Sequence, residues 1–173
     1  CGSGVRAVAS GFQSIKCGDS KIIIAGGQEN MSLAPHAIHL RDGKKLGDAE
    51  ITDTLIKDGL WDAFNGYHMG ITAENVASKF QVTREDQDAF ALRSQDKALK
   101  AQKENKFKDE IINFKIRSKK TEIDFNMDEH PRDGISMDTL SRLKPVFQKN
   151  GTVTAGNASG INDGAAAVTL MSS

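Results

Sequence analysis

The chain opens on a cysteine, Cys1, followed by Gly2-Ser3-Gly4 and then by apolar residues at helical spacing. A thiol at the N-terminal end of a helix meets unpaired backbone N–H groups and the positive end of the helix dipole. That setting favours the thiolate, which is the nucleophilic form. The glycines allow close approach of backbone and substrate, as in strand–turn–helix nucleophile elbows, and the Cys1 N–H is a candidate oxyanion donor. Position alone leaves two other readings open. Cys1 could be a small buried hydrophobe, or the acylated cysteine of a lipoprotein, although such anchors precede a flexible polar tether rather than a packed helix. His68, in "GYHMG", reads by itself as a packed or surface histidine. His36 and His39 form an H-x-x-H pair, but no carboxylate or cysteine stands at ligand spacing, so no metal is expected there.

The elements that would position these groups follow from periodicity. Val5, Val8, Ala9, Phe12 and Ile15 form a helical stripe, and Cys17-Gly18-Asp19 closes the helix. "KIIIAGG" predicts a short strand buried on both faces, as in a parallel sheet. From about Gln28 to Tyr67 the pattern loosens into a turn-rich excursion. Thr72 is expected to cap a helix with Ala73, Val76, Ala77 and Phe80 on one face. The Thr83-x-x-Asp86 signature predicts a second helix to roughly Asn105, with Ala91, Leu92, Ala98 and Leu99 inward. "EIINFKIR" alternates Ile112, Phe114 and Ile116 as a half-exposed strand would. Residues 117–150 read as charged and irregular. A Gly-, Asn- and Ser-rich loop then leads into an apolar run from Ala165 to Met171, expected as another buried strand.

Composition bounds the class. The 173 residues are 38% hydrophobic and 27% charged, which fits a globular α/β domain rather than a disordered or fibrous chain. Twenty-three basic residues balance twenty-three acidic ones, leaving no basic excess for nucleic acid. No apolar run reaches the roughly 18 residues a membrane helix needs, so no membrane partner is expected and the cytoplasm is the default compartment. Cys1 and Cys17 are the only cysteines, which gives no disulfide framework and no structural zinc motif.

Four stretches, in order and at matching spacing, carry a resemblance to the thiolases. They are "CGSGVRAVASGFQSIKCGDSKIIIAGGQENMSLAPH", "DGLWDAFNGYHMGITAENVA", "RDGISMDTLSRLKPVF" and "GTVTAGNASGINDGAAA". The likeness is greatest to the biosynthetic branch, which condenses two acetyl-CoA into acetoacetyl-CoA and CoA, reversibly. It implies a layered α/β/α thiolase-like core with an inserted α/β loop domain. Residues 1–31 and 156–173 would belong to the N-terminal core half and residues 32–155 to the loop domain. A degradative 3-ketoacyl-CoA thiolase is the alternative within the family, and a non-catalytic acyl-CoA-binding module the alternative outside it.

The resemblance implies roles residue by residue. Cys1 falls on the acyl-accepting nucleophile. His68 and Met69 fall beside the pantetheine arm and the acyl pocket. Leu60, Phe147, Ala155 and Ser159 fall on the CoA channel, with the Ser159 hydroxyl toward the pantetheine amides. Arg132 falls near the nucleotide end, where a guanidinium can stack on adenine. Thr139 stands where serine is common and keeps the hydroxyl. Without the resemblance, Leu60, Phe147 and Ala155 would read as plain core residues. No cofactor is implied beyond the coenzyme A thioester substrate, and "MSLAPHAIHLRDGKKLGD" resembles a loop through which relatives form homotetramers.

The departures are as informative. The family's Gly-His-Pro histidine, its second cysteine in Cys-x-Gly-Gly-Gly and its Asn-Glu-Ala-Phe segment are absent from these 173 residues; His130-Pro131 follows Glu129 rather than glycine. The expectation is therefore an internal piece of a longer enzyme that lacks the C-terminal half. It would be inactive alone because no base is present for the substrate α-carbon, and poorly soluble because the missing half would cover the helix after Cys1.

Overall fold

The computed structural model describes residues 1–117 and 121–172. Residues 118–120, inside the stretch read as irregular, and Ser173 lie outside the described residues. The chain mixes helices and strands, in the order α1 (Ser3–Cys17), β1 (Ile22–Glu29), β2 (His36–Ile38), β3 (Ile51–Asp53), a π-helical segment Leu55–Leu60, β4 (Trp61–Asp62), β5 (Tyr67–His68), α2 (Met69–Phe80), α3 (Arg84–Lys103), β6 (Phe114–Arg117), β7 (Glu122–Phe125), α4 (Met137–Ser141) and β8 (Gly164–Met171). The chain divides into two compact units, Cys1–Met69 with Ile161–Ser173, and Gly70–Gly160.

In the first unit β1 pairs with β8 antiparallel, from Ile22 opposite Met171 to Glu29 opposite Gly164. This corrects the parallel, doubly buried strand predicted from "KIIIAGG". Only one face of the ribbon carries a helix: Ile23 and Ala25 turn toward α1, whereas Ile22 and Ile24 turn away and are exposed. For the same reason β8 is a strand as expected but not a buried one.

The helix packs through its small residues. Gly4, Ala7, Val8, Gly11, Ser14 and Ile15 form the less exposed stripe of α1, and Gly11 is its buried point. A Cβ on Gly11 would lie 2.9 Å from Leu170 Cδ1 and 3.1 Å from Ile23 Cγ2. The predicted stripe was thus rotated: Val5 and Phe12 are 75% and 58% exposed. Gly18 ends the helix in the left-handed conformation at φ 81°, its N–H and that of Asp19 closing on the Ile15 and Ser14 carbonyls. Two short hairpins fill the excursion, β2 with β3 and β4 with β5.

In the second unit α2 begins three residues before the expected cap. Thr72 therefore lies inside the helix, with its buried hydroxyl lacking a hydrogen-bond partner among the described residues. The inward positions of α2 are Gly70, Glu74 and Ala77, whereas Val76 and Phe80 are exposed. Thr83 caps α3 as read: its hydroxyl accepts from the Asp86 N–H, and the Asp86 carboxylate accepts from the Thr83 N–H. Ala91, Leu92, Ala98 and Leu99 are half-buried along α3, as expected. The stretch read as irregular holds β7, which pairs with β6, and α4, whose start is a second capping box between Ser136 and Thr139. The β6–β7 hairpin is exposed on both faces rather than half-buried.

Candidate active site

Cys1 precedes the N-cap Gly2 and is exposed. What places it is contact between two glycine motifs. A Cβ on Gly27 would come 3.1 Å from Gly4 Cα, and one on Gly4 would come 3.6 Å from Gly27 Cα. The Gly-Ser-Gly turn and the Gly-Gly of "KIIIAGG" therefore touch backbone to backbone, seating the first turn of α1 on β1. Side chains at either position would lift the thiol away from the sheet. Gly2 adds no side-chain cap and the first turn contains no acidic residue, so the N–H groups and dipole at this end favour an anion.

Beyond β1, the chain is tied to the loop before β8. The Asp163 carboxylate accepts from the Ser32 N–H at 2.9 Å and from the Ser32 hydroxyl. These two bonds and one from the Met31 N–H hold its pKa below the ordinary carboxylate value, against a smaller opposing effect of burial.

Leu60, His68 and Met69 are brought together by the β4–β5 hairpin. Leu60 closes the π-helical segment immediately before Trp61, and Trp61 pairs with His68 across the ladder. The turn is built on Asp62, whose carboxylate accepts from the Phe64 N–H (2.9 Å), the Asn65 N–H (3.0 Å) and the Asn65 amide (2.7 Å). Gly66 supplies the positive φ of 75° and donates back to the Asp62 carbonyl. The bonds from Asn65 hold the Asp62 carboxyl below its usual range. Leu60 and His68 are half-buried, and Met69 opens α2. His36 and His39 lie elsewhere in this unit, both exposed. His36 stands 4.0 Å from Asp53 across the β2–β3 ladder.

The remaining residues, Arg132, Thr139, Phe147, Ala155 and Ser159, belong to the second unit. The Arg132 N–H donates to Gln95 Oε1 of α3 at 3.0 Å, leaving its side chain exposed. The Thr139 hydroxyl accepts from the Ser136 N–H at 2.9 Å and donates to the Ser136 carbonyl at 2.8 Å, so it is engaged in the helix cap. Phe147 lays its ring over Gly70, where any Cβ would collide with it.

Ala155 and Ser159 are exposed on a loop whose underside is fixed by groups that the sequence reading did not single out. Glu74, 6% exposed, accepts from the Thr152 N–H, the Thr152 hydroxyl and the Val153 N–H, each at 2.9 Å. Burial pushes its pKa up, but these bonds outweigh it and leave the carboxyl below its usual value. Asn157 Oδ1 accepts from the Thr154 N–H (2.8 Å), while its amide donates to Asp88 (2.9 Å) and to the Thr152 carbonyl (3.0 Å). Asp88, 1% exposed, is paired in turn with Arg84 at 2.7 Å, and Arg84 also donates to the Leu140 and Leu143 carbonyls. The signal available in the sequence was the charge of Glu74 at an inward helical position, three residues before Ala77.

The family model for the thiolase N-terminal domain matches residues 1–173. The acetyl-CoA acetyltransferase of Rhizobium meliloti is 60% identical over 171 residues, covering 99% of this chain and 44% of that protein. That of Shinella zoogloeoides is 59% identical over 172 residues, with the same coverage. Among solved structures, the Bacillus anthracis acetyl-CoA acetyltransferase is similar at a TM-score of 0.90 and 45% identity, over 99% of this chain and 44% of its own. The human mitochondrial 3-ketoacyl-CoA thiolase is similar at 0.90 and 40%, again over 99% and 44%. The chain thus spans less than half the length of these relatives. On this match over its whole length, it belongs to the thiolase family.

Proposed function

We propose that the protein carrying these residues is an acetyl-CoA C-acetyltransferase working through an acyl-enzyme on Cys1. The observation that carries the reading is identity of 55–60% to proteins of that name across 99% of the chain. The Cys1 thiolate attacks the thioester carbonyl of one acetyl-CoA, the tetrahedral oxyanion collapses, and CoA thiolate leaves with the acetyl group retained on sulfur. A second acetyl-CoA, deprotonated at its α-carbon, attacks that acyl carbon. Acetoacetyl-CoA departs and the Cys1 thiolate is restored. His68, Met69 and Leu60 line the acyl and pantetheine path. Phe147, Ala155 and Ser159 border the pantetheine, and Arg132 and Thr139 lie toward the nucleotide. The base for the α-carbon is not among these 173 residues, so turnover is proposed for the whole protein.

Under the same reading the substrates are acetyl-CoA and acetoacetyl-CoA, with no cofactor besides the thioester. The enzyme is a cytoplasmic homotetramer assembled through the loop of residues 31–48. Among the described residues no helix is long and apolar enough to cross a membrane. Replacing Cys1 by serine in the whole protein is expected to lower thiolysis by at least about three orders of magnitude, with loss of the acetyl adduct on the Cys1 peptide by mass spectrometry. An adduct on another side chain, or a variant that still turns over, would defeat the proposal. Greater activity on longer 3-ketoacyl-CoA than on acetoacetyl-CoA would instead favour the degradative branch.

A further inference from the structure

We infer that Glu74 is a positioning residue for coenzyme A binding: its buried carboxylate holds the 151–159 loop in the shape that presents Ala155 and Ser159 to the substrate. This rests on the reading above, in which that loop borders the pantetheine.

Helix packing alone does not call for a carboxylate at this site, since burying one is costly unless donors satisfy it. Among the described residues, the donors to Glu74 belong to Thr152 and Val153. The fit is mutual, because a Cβ on Gly151 would collide with the Glu74 carboxylate. The other end of the loop has its own anchors, Asn157 on Asp88 and Gly156, whose Cβ would lie 2.5 Å from Leu140 Cδ2 and 2.6 Å from Leu143 Cδ1, and Asn157 also ties back to the Thr152 carbonyl. The fully buried Thr154 lies between the two anchors, and Ala155 beside it faces outward. A loop ordered before the substrate arrives spares the substrate the entropy of ordering it. The carboxylate therefore acts on affinity for the thioester and not on the chemistry at Cys1.

The test uses the whole protein and steady-state thiolysis of acetoacetyl-CoA. Glu74→Gln keeps the size but sets an amide against the Thr152 donors. It is expected to raise KM for CoA about tenfold while kcat and the single-turnover acetylation of Cys1 change less than about twofold. Ala77→Gly, buried in the same helix, is expected to lower thermal stability and leave KM unchanged. Ala155→Leu, which narrows the loop's outer face, is expected to raise KM. If Ala155→Leu raises KM and Glu74→Gln does not, the positioning role is overturned and the reading of the loop stands. If Ala155→Leu leaves KM unchanged, it is that reading which fails. Equal KM changes in Glu74→Gln and Ala77→Gly would reduce Glu74 to a structural part. Should Glu74→Gln not fold, Thr152→Val, which removes only the hydroxyl donor, is expected to raise KM about threefold, and an unchanged KM overturns the inference.

Discussion

Glu74 keeps its charge while buried, and that combination has a pH signature. Its carboxyl is held below the ordinary value of 4.5 because bonds from the loop outweigh desolvation. A depressed folded pKa contributes stability that is fully present above the unfolded value and is lost as pH falls through the folded one. The gap in denaturant midpoint between the wild type and Glu74→Gln is therefore expected to be constant from about pH 7 to about pH 5. It should narrow progressively below 4.5. A gap that widened in acid would contradict the direction of the shift. This residue was hard to read from sequence because its partners lie 78 and 79 positions away, and a carboxylate on an otherwise apolar helix face gives no hint of where its donors will come from. The capping pair Thr83 and Asp86, three residues apart, was legible because cause and effect are local.

Elements show the same division between local and distant causes. The extents of α1 and β1 follow from their own residues, with Gly18 as the stop. The face that α1 buries does not, because Gly4, Ala7, Gly11 and Ser14 pack by being small and add little to an apolar stripe, whereas the conspicuous Val5 and Phe12 are exposed. The Ser136–Thr139 cap was hidden in a charged stretch for a related reason, the helix it starts being only five residues long. Of the candidate site, the Cys1 turn and the "GYHMG" hairpin were legible as motifs, while the loop's anchors were not. The β1–β8 ladder gives a sharp test. A Cβ on Gly26 would drive into the Ala166 carbonyl oxygen and stand 2.9 Å from Ala167 Cα, so backbone rather than a pliable side chain must move. Gly26→Ala is expected to destabilise by about 2 kcal/mol or more, read as a lower denaturant midpoint. Gly2→Ala, with open space around its Cβ, should be close to neutral in the same measurement.

Across the whole molecule, apolar surface is left open on several elements. Val5 and Phe12 on α1, Ile22 and Ile24 on β1, and Phe114, Ile116, Ile123 and Phe125 on the β6–β7 hairpin are all exposed. Patches of this kind mark interaction sites, or aggregation when nothing covers them. Expressed as these 173 residues alone, the chain is expected to bind an apolar dye strongly and to sediment as self-associated species. A monodisperse monomer that excludes the dye would count against that expectation.

The pairing of Ile22 with Met171 also orders events during synthesis. At roughly 5–20 residues per second, the first strand leaves the ribosome on the order of ten seconds before its partner exists. Residues 70–160, whose internal contacts need nothing later in the chain, are complete within that interval. Of the two units, the one bearing the cysteine is thus the later to close, and the edge of its first strand stays unpaired while the residues between the two strands are translated.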